Sequence, residues 1–91
     1  MNNYIKYANR GEFQWECVEY GDYGSVEIEE MIYNNGKGKI TKTCGGFSAE
    51  YQVFDGLVFG EKEFSSRRNA RIWIERMIKQ WQLTAILWPY Q

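Results

Sequence analysis

The sequence predicts an α+β fold, an antiparallel meander sheet of about four to six strands with one amphipathic helix, about 66–82, packed on one face. Three observations carry this. Successive segments alternate apolar and polar residues with the two-residue period of a strand that buries one side. The turns between them are too short for crossover connections, so neighbouring strands pair antiparallel and in chain order. Later the period changes, and Ala70, Trp73, Ile74, Met77, Ile78 and Trp81 fall at the three- and four-residue spacings of one helix face. With 91 residues, 44% of them hydrophobic, the chain has material for one core and so for a single domain over 1–91.

Taken in order, Tyr4-Ile5-Lys6-Tyr7 reads as a short edge strand closed by Asn9-Arg10-Gly11. From 12 to 20, Phe13, Trp15 and Cys17 share one face, and Gln14 and Glu16 the other. Gly21-Asp22-Tyr23-Gly24 is a loop, after which Val26 and Ile28 alternate with Glu27 and Glu29 and lead into Met31-Ile32-Tyr33 as a second long strand. Asn34-Asn35-Gly36-Lys37-Gly38 is a reversal signal, because Asn and Gly tolerate the positive φ of tight hairpins. Ile40 to Cys44 is the returning strand, and Gly45-Gly46 marks either a bulge or a turn. Phe47, Ala49, Tyr51 and Val53 then alternate with Ser48, Glu50 and Gln52, and Asp55-Gly56 turns the chain into a strand through Glu63. Ser65 or Ser66 offers the N-cap oxygen of the helix, and Phe64 precedes it as a staple residue. Beyond Trp81 the helical spacing fails, and 83–90 reads as a strand or extended tail stopped by Pro89. Its apolar character predicts that it completes the sheet edge or joins two copies as a homodimer.

The formal charge is only −1, from 11 Lys plus Arg and 12 Asp plus Glu, so there is no general attraction to nucleic acid or to an anionic membrane. Its distribution is uneven. Residues 1–31 carry seven acidic and two basic side chains, and 32–91 carry five acidic and nine basic. No signal peptide and no membrane-spanning run is visible, which predicts a soluble cytoplasmic protein. Cys17 and Cys44 are isolated and expected to be buried thiols.

The chain has no histidine, no Asp-rich calcium loop and no nucleophile with a base at a recognisable spacing. No catalytic residue, cofactor or metal is therefore expected, and binding is the function class that remains. Two surfaces qualify. Glu16, Tyr20, Tyr23, Glu27, Glu29 and Glu30 on the first two long strands and their loop form an acidic strand face suited to an Arg/Lys-rich protein surface, with a solvated sheet face as the alternative. Arg67, Arg68, Arg71, Ile72 and Arg76, with Lys79, are placed on the outer helix face. Arg67 and Arg68 oppose the helix dipole there, so either Glu61 and Glu63 neutralise them or they face an anionic partner. Lys37, Lys39 and Lys42 form a basic hairpin segment able to touch phosphate.

Two resemblances refine this. Asp55-Gly56, then 61–66, then Ala70, Trp73, Ile74 and Glu75 is similar to the strand-to-helix unit of the arm-type DNA-binding domains of phage integrases. That likeness covers about a third of the chain and implies a three-stranded sheet reading the major groove. Glu50, Gln52, Glu61 and Glu63 stand on the corresponding strands where basic residues are needed. In size, divided charge and aromatic turns such as Tyr20-Gly21-Asp22-Tyr23, the chain resembles small phage-encoded antagonists of host defence, above all anti-CRISPR proteins. This resemblance implies a non-enzymatic inhibitor bound to a nuclease complex in the host cytoplasm. A small DNA-binding regulator, using the basic hairpin and the helix arginines, is the alternative.

Overall fold

The computed structural model describes residues 13–34 and 36–87, including every side chain of these except 85–87. The short strand expected at 4–7 and the segment 88–90 lie outside the described residues. Five antiparallel strands follow one another as β1 (Trp15–Tyr20), β2 (Val26–Tyr33), β3 (Gly36–Thr43), β4 (Gly46–Val53) and β5 (Val58–Phe64), and they lie side by side in that order. A helix, α1 (Arg67–Leu87), lies across β4 with β3 and β5 beside it. The result is the two-layer α+β arrangement anticipated above: one sheet face carries the helix, and the helix face carries most of the core.

Strand alternation decides what enters that core. Trp15, Met31, Ile40, Ala49, Tyr51 and Val53 point towards the helix and are buried together with Ala70, Ile74 and Ile78. Glycines let the layers approach. A methyl group on Gly38 would stand 2.5 Å from Ile74 Cγ2, and one on Gly36 would stand 2.5 Å from Ile78 Cγ2. The reversal itself lies before these glycines, where Asn34 takes φ 53°. Gly36 and Gly38 thus belong to the strand β3 and serve close packing, which corrects their reading as turn residues. Gly45 and Cys44 form the two-residue connection between Thr43 and Gly46, which settles that position as a turn.

The helix differs from expectation in length and in roll. It continues to Leu87, so 83–87 is neither strand nor tail. Its buried stripe is Ala70, Arg71, Ile74, Glu75 and Ile78, while Trp73, Met77 and Trp81 are only partly buried along one flank. At 100° per residue, the stripe is turned roughly 60° from the one that apolar spacing marks. Two polar side chains cause this, and both are paired below. The start agrees with expectation, since the Asn69 amide donates to Ser66 Oγ at 3.0 Å. Phe64 folds back onto Trp73, with ring centroids 5.6 Å apart. Neither cysteine is buried: Cys17 is half-buried on the edge strand β1, and Cys44 is exposed in its turn.

Candidate functional site

The helix is held over the sheet by ionic contacts that remove two predicted contact residues from the surface. Glu29 is 1% exposed and Arg71 8%. Arg71 Nε and Nη2 donate to the two carboxylate oxygens of Glu29 at 3.0 and 2.5 Å, a bidentate pair. Arg67 adds its Nε at 3.3 Å from the same carboxylate, donates through Nη2 to the Val26 carbonyl at 2.9 Å, and lies over the Phe47 ring at 4.7 Å. One turn along from Arg71, Glu75 accepts from Trp15 Nε1 at 2.9 Å inside the core. Arg71 therefore does not lie on the outer helix face, nor Glu29 on an outer acidic face. Arg67 and Arg71 are drawn inward because Glu29 sits on the helix side of β2. Glu61 and Glu63 do not neutralise Arg67 and Arg68, because strand alternation turns them to the other side of the sheet.

That other side has no covering layer among the described residues, and it gathers acid. Register places Glu16 opposite Glu30, Glu30 opposite Lys39, Lys39 opposite Glu50, and Glu50 opposite Glu61. The row crosses all five strands with one lysine at its centre. Glu19 lies on the same face opposite Ile28, beyond the bulge at Val18, and Glu63 lies there opposite Ser48. Among the described residues, six carboxylates share the face with two ammonium groups, those of Lys37 and Lys39.

Parallel to the acidic row runs a second one, Ile32, Lys37, Gln52 and Phe59, in which Ile32 and Phe59 are each 70% exposed. Between the rows, Met31, Gly38, Tyr51 and Gly60 send their side chains, where they have them, to the helix side. The backbone is left as a floor, and the resulting open concavity has a volume of about 670 Å³. Two exposed apolar side chains thus stand beside a row of carboxylates, which places apolar area and negative charge on one surface.

Of the predicted acidic set, Glu16 and Glu30 stand together in the row. Glu27 points to the helix side, half-buried, and accepts from Ser25 Oγ at 2.9 Å. Tyr20 and Tyr23 are exposed at the β1–β2 end of the sheet, Tyr23 in a short 3-10 turn, Asp22–Gly24, with φ 59°. The missed members are Glu50, Glu61, Ile32 and Phe59. Glu50 and Glu61 stood in the half of the chain with the basic excess, and only strand register joins them to Glu16 and Glu30.

On the helix, Arg68 and Arg76 are exposed and Ile72 is half-buried. Lys37 and Lys39 project from one face of the sheet and the helix arginines from the opposite layer, so they do not form one basic surface. Among the described residues there is no cluster of three or more His, Cys, Asp or Glu able to hold a metal ion. None of their helices is long and apolar enough to cross a membrane. Comparisons with protein families, with curated proteins and with solved structures give no match to this chain.

Proposed function

We propose that the protein is a non-enzymatic binding protein that docks the open face of its sheet on a cationic protein surface, and that it acts as a stoichiometric inhibitor of the anti-CRISPR type. A single observation carries the reading: the row Glu16, Glu30, Lys39, Glu50, Glu61 beside exposed Ile32 and Phe59, on a face with no layer over it among the described residues. Carboxylates lined up across the strands, about 4.8 Å apart within the pairs Glu16–Glu30 and Glu50–Glu61, present a line of negative charge as a phosphate backbone does. A nuclease channel built for nucleic acid, rich in Arg and Lys, is the partner class that such a row fits. The apolar pair supplies the part of the affinity that salt does not screen.

The test uses cells in which an RNA-guided nuclease restricts a phage. Expression of the protein is expected to raise plaque counts, and Glu30→Lys with Glu50→Lys to abolish the rise. Unchanged plaque counts across the nuclease types tried would reject inhibition. The DNA-binding regulator is favoured instead if purified protein shifts generic duplex DNA with an affinity that falls steeply with salt. Lys37 and Lys39 lie on the opposite side of the sheet from the helix arginines, and of the three hairpin lysines only Lys42 shares the helix side, which speaks against that outcome.

A further inference from the structure

We propose that the protein also associates with itself head to tail, the helix ridge of one copy seating on the acidic sheet face of the next. The ridge is Arg68, Ile72, Arg76, Lys79 and Leu83, the side of α1 turned away from the sheet. Arg68 and Arg76 are exposed, with no ion pair among the described residues, and Leu83 is 56% exposed. Glu75, the single acidic residue of Arg67–Leu87, is buried, so the exposed charges of the helix are all cationic.

The two surfaces match in sign and in scale. Eight residues of helix separate Arg68 from Arg76, about 12 Å. Across the sheet, Glu30 and Glu50 are two strands apart, about 10 Å, and Glu16 and Glu50 three strands apart, about 14 Å. Flexible arginine side chains span the difference. Ile72, between the two arginines on the ridge, and Leu83 beyond them meet a face that carries exposed Ile32 and Phe59, so apolar contact accompanies the charge. A second copy is the occupant that the charges favour: each molecule carries both complementary surfaces, and a formal charge of −1 per chain sets up little overall repulsion.

Geometry fixes the kind of assembly. The ridge and the acidic face lie on opposite sides of a two-layer body, so one pair of molecules cannot satisfy both surfaces by a two-fold axis. The contact is heterologous and open-ended, and mass grows with concentration instead of stopping at a dimer.

Sedimentation velocity of the full chain over a concentration series tests this. At about 10 mM ionic strength, where the Debye length is about 30 Å, the weight-average mass is expected to rise steadily above 10.8 kDa; at about 1 M, where it is about 3 Å, to fall back towards it. Glu30→Arg with Glu50→Arg, and separately Arg68→Glu with Arg76→Glu, should each remain monomeric. An equimolar mixture of the two should associate again, because each then supplies the charge the other lost. Circular dichroism checks that both fold, and Glu50→Gln with Arg76→Gln as single changes replace any pair that does not. A constant monomer mass at low salt would overturn the proposal, as would a plateau at dimer, association indifferent to the arginines, or failure of the mixture to recover. So would an Arg68- and Arg76-dependent shift of duplex DNA, which assigns the ridge to phosphate. The inference shares its acidic face with the inhibitor reading, but its arginines lie outside that face. Arg68→Glu with Arg76→Glu should therefore abolish self-association and leave inhibition intact, so either reading can fail alone.

Discussion

Glu29 shows how one buried carboxylate reorganises its surroundings. At 1% exposure it is sustainable only with the bidentate Arg71 guanidinium and the nearby Arg67, since an unpaired buried charge costs several kcal/mol. Breaking such a pair and replacing it are different operations. Glu29→Leu leaves Arg71 buried without its acceptor and should lower stability by about 3–5 kcal/mol. Combining it with Arg71→Met removes both charges and should recover most of that loss, since a packed apolar pair is often as stable as the ions it replaces. Urea denaturation of the two single variants and the double variant measures the coupling. A double variant as unstable as the sum of the singles would show that the ion pair contributes nothing beyond its separate side chains. The pair was not legible in the chain. Glu29 sits between Ile28 and Glu30 in a strand whose alternation is ambiguous, because Val26, Ile28, Met31 and Ile32 occupy both parities. Arg71 falls beside an apolar stripe that is complete without it. Apolar spacing treats both as surface, and only the two elements brought together reveal the charge match.

At the scale of the element, β3 and α1 explain each other. The strand carries glycine at two alternating positions on its helix side, and Ile78 and Ile74 fill the space their missing side chains leave. Gly38→Ala places a methyl group against Ile74 and near the Trp15 ring, and should cost about 1–3 kcal/mol through overpacking. Gly45→Ala meets no atom within 4 Å, and its φ is not in the left-handed region, so it should be neutral or slightly stabilising by restricting the unfolded chain. Thermal unfolding compares the two directly; equal losses would indicate a backbone effect of glycine and remove close packing as the cause. Strand order and antiparallel pairing were readable, and strand number within a range of four to six, because period-two patterning and short turns leave few topologies open. The ends of strands and the roll of the helix were not. The Asn34-Asn35-Gly36 run carries turn chemistry and packing chemistry in consecutive residues, and composition does not separate them. The helix continues past Trp81 because Gln82 Nε2 donates to the Tyr33 carbonyl at 3.2 Å and Thr84 Oγ1 to the Gln80 carbonyl at 2.8 Å, contacts to which apolar spacing is blind.

Across the whole molecule, charge is sorted by layer and not by position along the chain. The acidic first third and the basic remainder are interleaved by the meander, which carries Glu50, Glu61 and Glu63 to the face of Glu16 and Glu30 and sets Lys39 among them. Lys39 then faces a carboxylate on each side, while the outer neighbours Glu16 with Glu30, and Glu50 with Glu61, are like charges directly opposite. Such pairs each change stability by about 0.2–1 kcal/mol. Lys39→Glu turns two favourable pairs into two repulsive ones and should lower stability by about 1–2 kcal/mol at low salt. Because the row is solvent-exposed, the loss should shrink markedly at about 1 M salt, where the screening length is about 3 Å. A purely structural defect would persist at both salt concentrations, so denaturation at two ionic strengths separates field from packing. The same change adds a carboxylate to the proposed docking face without touching Ile32 or Phe59. A cationic partner should then bind the less stable variant more tightly, and weaker binding would mean that Lys39 itself makes a contact and that the row is not read by charge alone.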